Sequence, residues 1–139
     1  MIRATLYFPH IDWTVYTYIA VHEYYTYEIL DKMRQIGAST DELVRAHKNL
    51  TDGNLNGGIT KSNYDIRKSV WVFELTTSAR EFFNSAVHEI RHLQQHIANV
   101  LGLDENSEDV CYLSGDIAYA LFPYIRELLC EHCRKHLAQ

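Results

Sequence analysis

The strongest constraint in this chain is one long apolar stripe at helical spacing. Phe82, Phe83, Ala86, Val87, Ile90, Leu93, Ile97, Val100 and Leu101 recur every three or four residues, the period of an α-helix with a single buried face. Ser78 followed by Glu81 reads as a capping box at its start, and Gly102 as a natural C-cap at its end. A helix of this kind draws most of its stability from packing, so the rest of the chain must offer a surface to bury the stripe.

The other segments read as both strands and helices. Ile2 to Phe8 and Asp12 to Val21 are rich in β-branched and aromatic residues and are separated by Pro9-His10, which predicts two strands. From His22 the chain carries Tyr25, Ile29, Leu30 and Met33 at helical spacing as far as Gly37, and Ser39 with Glu42 opens a second short helix that ends before Asp52-Gly53. Asn54 to Gly58 reads as a flexible, glycine-rich loop. Ile59 to Ser62 and Ser69 to Leu75 flank the turn Asn63-Tyr64-Asp65 and predict a hairpin, with the strand around Val70 to Phe73 as an edge for an added peptide strand. Ser107 caps a last helix carried by Val110, Leu113, Ile117, Leu121, Ile125 and Leu128, which Pro123 should kink or split. The expectation is one α+β domain over residues 1–139, a small antiparallel sheet packed on the long helix and a C-terminal helix.

Composition narrows the partners. With 47% hydrophobic residues among 139 the chain can bury a core, yet it has no apolar run long enough to span a bilayer and no signal-peptide pattern at Met1-Ile2-Arg3-Ala4-Thr5. A formal charge of −5, with no basic cluster beyond Cys133-Arg134-Lys135-His136, argues against nucleic acid and anionic membranes as partners. Cys111, Cys130 and Cys133 are an odd number of thiols without a disulfide framework, which fits a reducing cytoplasm. Cys130-Glu131-His132-Cys133 with His136 has metal-ligand residue types, but no second cysteine pair exists and ordinary thiols are expected there.

Three of the eight histidines fall between residues 88 and 96. In His88-Glu89-Ile90-Arg91-His92 the two histidines are four apart, so both imidazoles leave the same face of the long helix about 6 Å apart along its axis. This spacing suits two neutral imidazole ligands of Zn²⁺, with Glu89 beside the open position as the general base. His96 continues the series, but about 12 Å of straight helix separates it from His88, too far for one ion. Among the carboxylates that open the next helix, Glu108 is the favoured third ligand, with Glu105 and Asp109 as alternatives. Asp116 could orient a ligating histidine.

The arrangement resembles the gluzincin metallopeptidases, in which His-Glu-x-x-His on one helix is completed by a glutamate on a following helix. Glu108-Asp109-Val110-Cys111 is similar to the Glu-x-x-Ala segment of several of those families, with Cys111 in place of alanine. The resemblance implies His88, His92 and Glu108 as zinc ligands and Glu89 as base. Tyr112, Arg91 and Gln94 depart from it, since the pattern prefers an acidic, an uncharged and a hydrophobic residue at those positions. The stretch from Asn56-Gly57-Gly58-Ile59-Thr60 through the histidine helix is also similar to small uncharacterised proteins of phages and mobile elements of gut bacteria.

Together these readings predict zinc-dependent peptide hydrolysis on a peptide or protein substrate, with Tyr112, Arg91 or His96 as candidates to stabilise the oxyanion. The alternative is a non-catalytic, zinc-stabilised accessory or binding protein of a phage or mobile element. A third possibility is a metal-free module binding through Tyr16, Tyr18, Tyr24, Tyr25 and Tyr27.

Overall fold

A computed structural model describes residues 1–52 and 58–137, so that most of the predicted loop Asn54 to Gly58 lies outside the described residues. Strand β1 (Ile2–Phe8) pairs antiparallel with β2 (Trp13–Val21), and β3 (Gly58–Asn63) pairs antiparallel with β4 (Lys68–Glu74). The two hairpins are joined through β2 and β4, which run parallel, giving the order β1-β2-β4-β3. The α+β class is as expected, but the sheet is mixed and not antiparallel throughout. Helices α1 (Thr26–Gln35) and α2 (Thr40–Thr51) connect β2 to β3, and β3, antiparallel to both β2 and β4, carries the chain back so that β4 starts beside the start of β2.

That topology also corrects the expected edge. Val70, Trp71, Val72 and Phe73 are each 0% exposed, because β4 is central and covered on both faces. An unbroken apolar run is the mark of such a strand, whereas a half-exposed one alternates. The edges are β1 and β3.

One face of the sheet, with Trp13, Val15, Ile19, Trp71 and Phe73, packs on α3 (Ala79–Leu101) and α4 (Glu108–Ile125) through Phe82, Leu93, Ile97, Ile117 and Leu121. The other face, with Tyr18, Val21, Val70 and Val72, packs on α1 and α2 through Ile29, Leu30, Met33 and Leu50. A helix-sheet-helix sandwich results, and the two sides of β2 and β4 are both used.

Ser78 Oγ accepts the Glu81 N–H at 3.1 Å, one half of the expected capping box, and Gly102 closes α3 in the left-handed conformation at φ 67°, as expected of a C-cap. In α4 the helix runs on through Pro123 and ends two residues later, followed by a 3₁₀ turn (Arg126–Leu129) and α5 (Glu131–Leu137). Loss of the Pro123 N–H fits a break at this point.

A bulge at Ala20 decides which layer the end of β2 serves. Ile19 pairs with Phe73 and Val21 with Glu74, so Ala20 is an extra residue, held at φ 60°. Side chains alternate along a strand, and the insertion lets Ile19 enter one core while Val21 enters the other. Left-handed backbone costs a residue with a Cβ roughly 1–2 kcal/mol. Ala20→Gly is therefore expected to gain up to about 1 kcal/mol in urea unfolding, and Ala20→Val to lose stability; a loss with glycine would show that this strain is absent.

Candidate functional site

Helix α3 serves two surfaces at once. Successive residues turn by about 100°, so the buried Phe82, Ala86, Leu93 and Ile97 fix one face toward the sheet, and Glu89 and His96 fall together on its flank. That flank leans over edge strand β3, where Thr60 and Ser62, two residues apart, point to the same side. Thr60 Oγ1 donates to Glu89 Oε2 at 2.5 Å, and Ser62 Oγ lies 2.8 Å from His96 Nδ1.

Glu89 is only 3% exposed, although a glutamate is rarely buried without a partner. Its burial requires Gly58. A Cβ there would meet the Val72 carbonyl oxygen at 2.0 Å and the Glu89 Cγ and Cδ at 3.1 and 3.2 Å. Glycine thus lets β3 pass under the carboxylate, and Thr60 supplies the hydrogen bond that a buried carboxylate demands.

Next to Glu89, toward solvent, stand His88 and His92. Their Nε2 atoms are 3.0 Å apart, with the rings edge to face, and Glu89 Oε1 is 4.0 Å from His88 Nε2. Two bonds of about 2.1 Å to one tetrahedral ion place their donor atoms about 3.4 Å apart, within a few tenths of an ångström of this pair. The imidazole pair therefore fits a metal ion. Without one, a single ring proton shared between the two Nε2 atoms satisfies the contact.

The carboxylates expected to supply a third ligand open the next helix. The turn into α4 is tied to α3 by Glu105, whose Oε2 accepts from Arg91 at 2.7 Å and from Gln94 at 3.1 Å. These bonds hold the Glu105 carboxyl below the usual range, Arg91 contributing most. Glu108 and Asp109, which open α4, are exposed. Among the described residues no three His, Cys, Asp or Glu side chains are gathered to hold a metal ion. His88, His92 and Glu89 are brought together; Glu108, Glu105 and Asp109 are not brought to them.

His96 is half-buried and its pKa is lowered, first by desolvation and then by the neighbouring charges of His92 and Lys61. Tyr112 is 67% exposed on α4, and the expected tyrosine face is divided: Tyr18 is in the core, Tyr16 lies under Lys32, and Tyr24 and Tyr27 are exposed. Cys111 and Cys130 are exposed and Cys133 half-buried, all as free thiols.

Thr60, Ser62 and Gly58 were not singled out from sequence. Their signal was the period-2 spacing of Gly58, Thr60 and Ser62, which puts three small residues on one side of β3. No protein family, curated protein or solved structure matches the chain.

Two substitutions probe this junction. Gly58→Ala should lower stability by about 1–3 kcal/mol in thermal or urea unfolding, the usual range for overpacking, and an unchanged midpoint would contradict the close approach. Thr60→Val keeps the shape and removes the donor; a buried carboxylate left without it should cost about 1–3 kcal/mol, and no loss would mean that the hydroxyl does not serve Glu89.

Proposed function

We propose that this chain is a zinc-dependent peptide hydrolase in which His88 and His92 hold the metal and Glu89 is the general base. The observation that carries the reading is the buried Glu89 carboxylate, pinned at one oxygen by Thr60 and facing His88 Nε2 with the other, beside two imidazoles 3.0 Å apart. A merely solvated helix face gives no reason to bury this carboxylate or to reserve Gly58 for it.

Zinc on these imidazoles would supply an acidified water and a Lewis acid for a carbonyl oxygen. Glu89 Oε1 takes the proton of the attacking water and returns it to the departing amine, while the Thr60 bond keeps the carboxylate oriented between the two transfers. Glu108 is not part of the proposal, since no third His, Cys, Asp or Glu side chain is gathered at the pair among the described residues. The outer edge of β3 runs beside Glu89, so an extended peptide can add there as a fifth strand and bring a main-chain carbonyl to the site. No helix among the described residues is long and apolar enough to cross a membrane. The three free thiols suit a reducing compartment such as the cytoplasm.

Purified wild type is expected to retain near-stoichiometric zinc and His88→Ala to lose it; equal trace zinc in both would remove the metal site. On a mixed peptide library Glu89→Gln should cleave about 10²–10⁴-fold more slowly with zinc content unchanged. Zinc retention with equal cleavage by the two proteins would instead favour the zinc-stabilised binding protein.

A further inference from the structure

A chain of buried hydrogen bonds runs from the centre of the sheet to His96. The Trp13 indole N–H donates to Ser69 Oγ at 2.9 Å, Ser69 Oγ lies 2.7 Å from Ser62 Oγ, and Ser62 Oγ lies 2.8 Å from His96 Nδ1. The indole can only donate, which gives the chain a direction. Ser69, 0% exposed, already accepts from Trp13, and its own hydrogen has one acceptor among the described residues, Ser62. Ser62 then passes its hydrogen to Nδ1. Reversing the chain would leave the Ser69 hydrogen buried without an acceptor. The relay thus fixes His96 as a neutral imidazole with its proton on Nε2.

Nε2 has no hydrogen-bond partner among the described residues, and the ring lines a cavity of about 540 Å³ with Thr60, Lys61, Tyr64 and Asp65. Tyr64 stands edge-on to His96 at 5.7 Å between ring centres and forms an aromatic wall. Lys61 is paired with Glu42 at 2.7 Å, so its charge is already met, and Asp65 disfavours an anion. The cavity therefore offers a fixed neutral donor to an uncharged acceptor. Thr60 belongs both to this cavity and to the Glu89 contact.

We propose that this cavity is a substrate subsite in which His96 Nε2–H binds the side-chain amide oxygen of an asparagine or glutamine in an extended peptide. His96 lies one helical turn, about 6 Å, beyond His92, and a strand advances about 3.3 Å per residue. The recognised residue therefore sits about two positions from the bond that is cut. The subsite rests on the hydrolytic reading for its peptide ligand. His96 is a binding group for that ligand, not a metal ligand.

The test uses metal-free protein labelled with ¹⁵N-histidine, so that nothing is cleaved, and two probes: a five-residue alanine peptide with a central glutamine, and its central-leucine counterpart. Long-range ¹H–¹⁵N spectra should show His96 protonated at Nε2 alone. The glutamine peptide should shift that nitrogen and bind roughly tenfold more tightly than the leucine peptide, the worth of about one hydrogen bond. His96→Leu should erase the preference. Ser62→Ala, which keeps the imidazole, should give a mixture of tautomers and a smaller preference. A proton on Nδ1 in the wild type, or equal binding of both peptides, overturns the proposal. Zinc-loaded protein that binds the glutamine peptide but cleaves neither would sink the hydrolytic reading and leave the binding site standing.

Discussion

Everything at the site depends on the rotation of α3 about its own axis. Burying Phe82, Ala86, Leu93 and Ile97 against Trp71 and Phe73 leaves the helix one orientation, and a shift of one residue would cost several fully buried side chains at about 1.5–3 kcal/mol each. With that orientation set, Glu89 must meet β3, His92 must stand at the rim and His88 must face water. The apolar face thus positions the polar one. No loop has to be ordered to assemble these three residues.

The buried polar groups along this flank share a pattern. Three of them are matched by a small hydroxyl residue on β3 or β4: Thr60 for Glu89, Ser62 for His96, Ser69 for Trp13, whereas the buried Trp71 indole N–H has no such partner among the described residues. A buried polar group left unmatched is costly, so these small side chains are as much a part of the core as the leucines above them. Their pairing also fixes the lateral register between helix and sheet, which apolar contacts alone define loosely.

Much of this was legible in the chain because the signals were local. Caps, helical period and β-branched runs placed α3, α2 and the strand segments, and the i, i+4 spacing placed His88 with His92. The sheet order was not legible, since β2 and β4 pair across more than fifty residues and nothing in either strand states its partner or direction. The apolar run Val70–Phe73 did carry the sign of a central strand, but it was read as an edge. The choice of Glu108 rests on the length of the turn into α4, and sequence does not show that Arg91 and Gln94 anchor that turn through Glu105. The partners of Glu89 and His96 lie 29 and 34 residues away and become visible only when β3 is placed.

The parallel seam between β2 and β4 also has a consequence for assembly. The hairpins β1–β2 and β3–β4 each close over four residues, 9–12 and 64–67, whereas Thr14 and Lys68 in the seam are 54 positions apart (68 − 14). Loop-closure entropy makes the short closures easy and the seam late, because its cost precedes its reward. Yet α3 needs both halves of the sheet to bury its stripe, and Glu89 needs α3 seated before Thr60 can reach it. The carboxylate is therefore sheltered only when the whole chain has come together, and partly assembled forms leave it in water.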